Sequence, residues 1–202
     1  MISHNNSSCY HWHGFFLVLW FGLLPALAFS QNTVTDIDGN EYNTVQIGEQ
    51  LWMAENLRTS RYADGTPIAN VKDDTEWTNL SSGAWAHYDN DGSNESIYGK
   101  LYNWYAVNNT IGICPDGWGV PSNSSWDQLR DYLGGLLTAG RKMRTSGTEF
   151  WLSPNIGATN ESGFSALPGG RRVLYGFFNG KNEEAHFWSS TETDSIKAWG
   201  YS

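Results

Sequence analysis

Cys114-Pro115-Asp116-Gly117-Trp118-Gly119-Val120-Pro121-Ser122-Asn123-Ser124-Ser125-Trp126-Asp127-Gln128-Leu129-Arg130-Asp131-Tyr132-Leu133-Gly134-Gly135 is the stretch on which the fold turns. Ser122, directly after Pro121, has the side chain to cap a helix. Trp126, Leu129 and Leu133 form an apolar stripe at helical spacing, and Gly134-Gly135 supplies the stop. Ser125 stands at the third helical position, where an acidic residue would complete a reciprocal capping box, so the helix start rests on Ser122 alone. Cys114 opens the segment. With Cys9 upstream of an apolar run and expected to be removed with it, Cys114 is the one cysteine the exported part keeps and reads as a reactive thiol, an intermolecular link or half of a disulfide whose other half is missing.

Working outward, Leu136 to Met143 suggests a further short helical turn. Upstream, Tyr98, Leu101, Tyr102 and Tyr105 repeat at helical intervals and predict a helix over Ile97 to Val107, weakened by Gly99. Thr33 to Leu57 reads as a hairpin about Asp38-Gly39-Asn40, because Gly and Asn tolerate positive φ. Asp36, Asp38 and Asn40 begin like a calcium loop but lack its downstream acid, which leaves a plain turn. Thr59 to Gly99 is loop-rich, punctuated at Asp64-Gly65, Ser81-Ser82-Gly83 and Asp89 to Glu95. From Thr145 onward glycine alternates with aromatics, as in short strands joined by tight turns. Arg171-Arg172 reads as an exposed strand edge or a salt-bridged pair. Helices in the middle and strands at both ends give an α+β class, with two central helices packed on short antiparallel strands between long loops.

The amino terminus carries no charge of either sign through residue 30. The run Phe15 to Ser30 is shorter than the roughly 20 apolar residues a spanning helix needs, and it ends in Ala28-Phe29-Ser30. That is the pattern of a secretory signal peptide over residues 1–30 cleaved before Gln31, with residues 31–202 as one domain and no membrane span after cleavage. All 12 Lys and Arg and all 21 Asp and Glu follow it, so the exported part holds the full net charge of −9. Such a domain repels phosphate backbones, which excludes nucleic acid as a partner.

The stretch from Cys114 to Gly135 also resembles the central signature of the Fibrobacter succinogenes major paralogous domain family. Further segments agree in order: Val34 to Leu57, Tyr62 to Ile68, Tyr98 to Val107, Gly157 to Gly170 and Phe187-Trp188-Ser189-Ser190-Thr191-Glu192. The resemblance implies a secreted or cell-surface bacterial domain of C-type-lectin-like or formylglycine-generating-enzyme-like fold, whose long loops carry any ligand site. It also implies that Cys114 is a structural half-cystine with its partner in a C-terminal strand. Because this chain stops at Ser202 without such a cysteine, the resemblance implies a domain incomplete at the C-terminus.

Catalytic chemistry is thin. His87 and His186, the histidines after residue 30, both sit beside aromatics. No Cys or His pair has zinc-ligand spacing. The paired late cysteines that a formylglycine-generating-enzyme-like oxidase would use are missing. The expectation is therefore a non-catalytic binding or adhesion module for polysaccharide or cell-surface components. Trp77, Trp85 and Tyr88 would stack on sugar faces, and Asp89, Asp91 and Glu95 would accept hydroxyl hydrogen bonds. Asp89, Asp91, Ser93 and Glu95 are weak calcium candidates, and no other cofactor is expected. A purely structural surface domain, with every tryptophan buried, is the alternative reading. An enzyme built on a histidine beside a carboxylate or Cys114 is the third.

Overall fold

The computed structural model describes residues 9–11, 33–194 and 197–201, with side chains described through 192. In chain order the elements are β1 (Tyr10–His11), β2 (Thr33–Thr35), β3 (Glu41–Ile47), β4 (Gln50–Met53), β5 (Ala69–Asn70), α1 (Asp74–Thr78) and β6 (Ala84–Ala86). There follow α2 (Glu95–Tyr98), β7 (Leu101–Tyr102), α3 (Trp104–Val107), β8 (Trp118–Gly119), α4 (Asn123–Tyr132), α5 (Leu136–Met143), β9 (Gly169–Arg172), β10 (Phe178–Lys181), β11 (Phe187–Asp194) and β12 (Lys197–Tyr201). Helices and mostly antiparallel strands share one chain, as the α+β expectation had it.

The N-terminal hairpin forms where its sequence places it. The Asp36 carboxylate accepts from the backbone N–H groups of Asp38 and Asn40, each at 2.9 Å, which closes the turn, and from the Tyr42 hydroxyl at 2.5 Å, which ties the turn to β3. Around it a five-stranded sheet runs in the order β2-β3-β4-β1-β8. β1 is antiparallel to both neighbours, with Tyr10 opposite Trp52 on one side and Gly119 on the other.

This changes the reading of the amino terminus. Residues 9–11, expected to leave with the first 30, lie inside the sheet, so the boundary drawn before Gln31 is not the boundary of the fold. The apolar run Phe15 to Ser30 lies outside the described residues. Cys114 is a half-cystine as expected, but its partner is Cys9, with Sγ atoms 2.01 Å apart, not a cysteine of a C-terminal strand. The pairing follows from the sheet: β1 brings Cys9 beside the segment that leads into β8.

α4 obeys its sequence signals. The Ser122 hydroxyl accepts from the Ser125 N–H at 3.2 Å, and Trp126, Leu129 and Leu133 are buried. The helix expected over residues 97–107 is instead broken into α2, β7 and α3. Gly99, at φ 69°, turns the chain, and a Cβ there would stand 2.8 Å from the Leu57 carbonyl. Lys100 N–H then bonds that carbonyl, and Asn103 starts α3 by accepting from Ala106 N–H.

Aromatic rings fill the core. Trp52 lies 4.9 Å from Trp126 and 5.7 Å from Phe164, and Trp126 reaches Phe187 at 5.5 Å, centroid to centroid. Indole N–H groups bridge elements: Trp126 donates to the Trp188 carbonyl and Trp188 to the Tyr102 carbonyl. Tryptophan suits this use because it buries a large surface and keeps one donor for the backbone.

Candidate functional site

The loop region expected to bind sugar is packed instead. Trp77, Trp85 and Tyr88 are only 5, 8 and 9 % exposed, so none presents a ring face for stacking. Trp85 sits on β6, donates to the Ile68 carbonyl at 3.0 Å and carries the Lys100 ammonium over its ring at 4.7 Å. Trp77 lies under Arg172, and Tyr88 packs 5.3 Å from Phe178. These rings are what holds the long loops down, which corrects the stacking roles assigned from sequence.

Two of the three acidic residues are committed as well. Asp91 accepts from the backbone N–H and the hydroxyl of Ser93, closing a turn. Glu95 lies 2.8 Å from His87 Nε2 and 2.5 Å from Lys100 Nζ. Partial burial works against the Glu95 carboxylate, yet the hydrogen bonds from Lys100 and His87 outweigh it and hold its pKa below the ordinary value. Asp89 is exposed, in a left-handed backbone at φ 53°. Among the described residues no group of three His, Cys, Asp or Glu side chains is placed to hold a metal, so Asp89, Asp91, Ser93 and Glu95 do not assemble into a calcium site.

Two other features present themselves to solvent. The first is the turn between β9 and β10. There Tyr175 and Phe177 are 72 and 51 % exposed, on either side of a buried Gly176. The turn is rigidly seated: Val173 N–H donates to the Phe177 carbonyl, and Gly176 lies against Asp74 at the start of α1. Arg172, fully buried, clamps it from below by donating to the carbonyls of Val71, Lys72 and Gly176 and to the Asp74 carboxylate. The exposed pair therefore stands on a fixed base beside the polar surface of α1.

The second feature is a pocket of about 560 Å³ between α5 and the segment running from the end of β10 into β11. Its floor is apolar, built from Trp126, Leu129, Ala139 and Phe187, and Leu136 and Leu137 stand exposed at its edge. Arg130, Arg141, Arg144 and Arg171 line it together with Glu183 and Glu184. Arg130 is paired to Asp127 and Asp131, and Arg171 faces Glu184 at 3.4 Å. His186 lies here too, 2.7 Å from Glu184 and 3.1 Å from Arg171. Burial pushes its pKa below the ordinary histidine value; Glu184 opposes this and the Arg171 charge reinforces it.

Of the groups considered for catalysis, Cys114 is oxidised, His87 is held by Glu95, and His186 is held by Glu184. The His186–Glu184 pair has the geometry of an oriented base, but among the described residues no Ser, Thr, Cys, Tyr or Lys lines the pocket to be activated by it. Sequence reading missed both exposed features. Tyr175 and Phe177 were visible only as glycine-flanked aromatics, and the pocket residues come from segments some forty positions apart with no shared motif.

A family model, the Fibrobacter succinogenes major domain, matches residues 45–202, most of the chain, and the chain belongs to that family. No curated protein matches the chain. Nor does any solved structure.

Proposed function

We propose that this member of the Fibrobacter succinogenes major domain family is a non-catalytic binding or adhesion module of the cell exterior, directed at polysaccharide, in a C-type-lectin-like variant of the α+β class. The observation that carries the reading is the Tyr175–Phe177 pair: two exposed aromatic rings on a clamped turn whose Gly176 lies against Asp74 at the start of α1. Sugar faces pack on such rings while hydroxyls bond to neighbouring acceptors. An exterior location is supported by the Cys9–Cys114 disulfide, since such bonds persist in oxidising compartments. The acidic balance favours neutral polymers over polyanions.

Affinity electrophoresis against neutral polysaccharides, run with the full chain and with a Tyr175→Ala, Phe177→Ala double variant, tests the reading. Retardation by at least one polymer, lost in the double variant at unchanged melting temperature, is expected. Binding indifferent to the two substitutions, or no retardation by any polymer, overturns it. A second reading, a structural surface domain, draws on one specific observation: every tryptophan whose side chain is described, Trp118 apart, is buried. It is the reading left standing if no polymer binds.

A further inference from the structure

We infer that the pocket between α5 and the β10–β11 segment is a separate binding site for a small amphipathic carboxylate: one anionic head on an apolar body. Its size, about 560 Å³, falls in the range of small-molecule sites. The floor of Trp126, Leu129, Ala139 and Phe187 offers no hydrogen-bonding side chain but an indole, so whatever lies on it is apolar. Gly140 keeps the α5 wall open, because nothing stands within 4 Å of where its Cβ would be.

The head group is named by two arginines. Arg144, which ends α5, has no carboxylate partner among the described residues. Its guanidinium rests over Trp151 at 5.2 Å, and its Nε is buried without an acceptor. Arg171, on β9, also has a buried Nε without an acceptor, although its Nη1 faces Glu184. Both Nε atoms are shielded from solvent and so from a ligand, which leaves the Nη groups of the two guanidiniums to meet the two oxygens of a carboxylate. Among the described residues Arg141 adds a further lining cation not paired to an acid, and Glu183 is the lining acid without a cation partner. The local balance therefore favours an anion on a chain whose overall charge is −9, and that overall charge admits a single carboxylate more readily than a polyanion. Leu136 and Leu137, 82 and 87 % exposed at the edge, extend the apolar surface beyond the pocket for a longer body.

Titration calorimetry with octanoate, its uncharged isostere octanamide and the polar carboxylate glucuronate tests the assignment on the full chain. Saturable one-to-one binding of octanoate is expected, with octanamide and glucuronate each weaker by about tenfold or more, the scale of one charge-assisted hydrogen bond or of a few buried methylenes. Arg144→Met and Arg171→Met should each weaken octanoate by a similar factor. Leu137→Asp, at a position too exposed to affect folding, should weaken it through repulsion at the edge with the melting temperature unchanged. Equal affinity for octanamide, equal affinity for glucuronate, or octanoate binding untouched by Arg144→Met and Leu137→Asp overturns the proposal. So does the absence of saturable binding. Because octanoate and octanamide are not sugars, the comparison between them does not depend on the polysaccharide reading.

Discussion

Arg172 lies with its guanidinium carbon 4.3 Å from the centre of the Trp77 ring while its Nη2 holds the Asp74 carboxylate at 2.9 Å, so one buried cation fastens the β9–β10 turn to the short helix α1 from both its apolar and its polar side. A helix of five residues has little stability of its own, and this clamp substitutes for the length it lacks.

Arg172→Met keeps much of the bulk and removes every donor, leaving three carbonyls without their partner. A loss of about 1–3 kcal/mol or more is expected, the scale of leaving buried carbonyls without donors, while the Asp74 carboxylate, 57 % exposed, returns to water. Arg172→Lys should recover only part of it, since a point ammonium cannot serve the same set of acceptors. Urea denaturation of the three proteins measures both, and a midpoint for Arg172→Met equal to that of the parent would remove the clamp from the account.

Gly176 sits at φ 90°, where an added Cβ would meet the Asp74 Cα at 2.5 Å. Gly176→Ala should therefore cost more than about 1 kcal/mol through strain and displacement together. It should also tilt the turn that presents Tyr175 and Phe177. Thermal melting reads the first effect and polysaccharide retardation the second.

The helix α4 and the hairpin of β2 and β3 were legible because their signals are local: Ser122 and Gly134-Gly135 bracket one, and Asp36 organises the turn of the other through its own neighbours. The segment around Gly99 misled because the aromatic spacing at 98, 101, 102 and 105 is a burial pattern that a kinked chain satisfies as well as a helix does. The kink is dictated by the approach of Leu57, forty residues away. Trp77, Trp85 and Tyr88 could not be assigned for a related reason. An aromatic in a polar loop reads alike whether it faces solvent or anchors the loop, and only the positions of Arg172, Ile68 and Phe178 decide. Cys9 was opaque because its neighbours in the fold come from residues 50–53 and 118–119.

The Cys9–Cys114 bond spans 105 positions, and closing so long a loop removes much freedom from the unfolded chain. Reduction should lower stability by about 2–5 kcal/mol. Cys9→Ala should match the reduced parent. Denaturation with and without reductant gives the magnitude, and peptide mapping without reduction, finding residues 9 and 114 in one crosslinked species, establishes the bond. Two free thiols in the folded, oxidised protein would contradict it.

His186 carries a pKa held below its ordinary value of 6.5 by burial. The unfolded chain therefore binds the proton more readily than the folded one, and stability falls as pH drops from about 6.5 toward the folded value. His186→Gln should flatten that limb of the profile, while any loss of packing lowers the whole curve evenly. Melting temperatures of both proteins between pH 5 and 8 test this, and parallel profiles would count against the assignment.

The position of β1 sets an order on assembly. Residues 10–11 are made about a hundred residues before β8, one of the two strands they must join, which ends at residue 119. The β1 segment has to wait, bonded on one side at most, while the residues up to β8 are made, and only then can the sheet close over it. Contacts so distant along the chain form slowly, so an early-made piece becomes a late-placed one. A nascent chain halted before residue 118 should leave Cys9 open to thiol reagents.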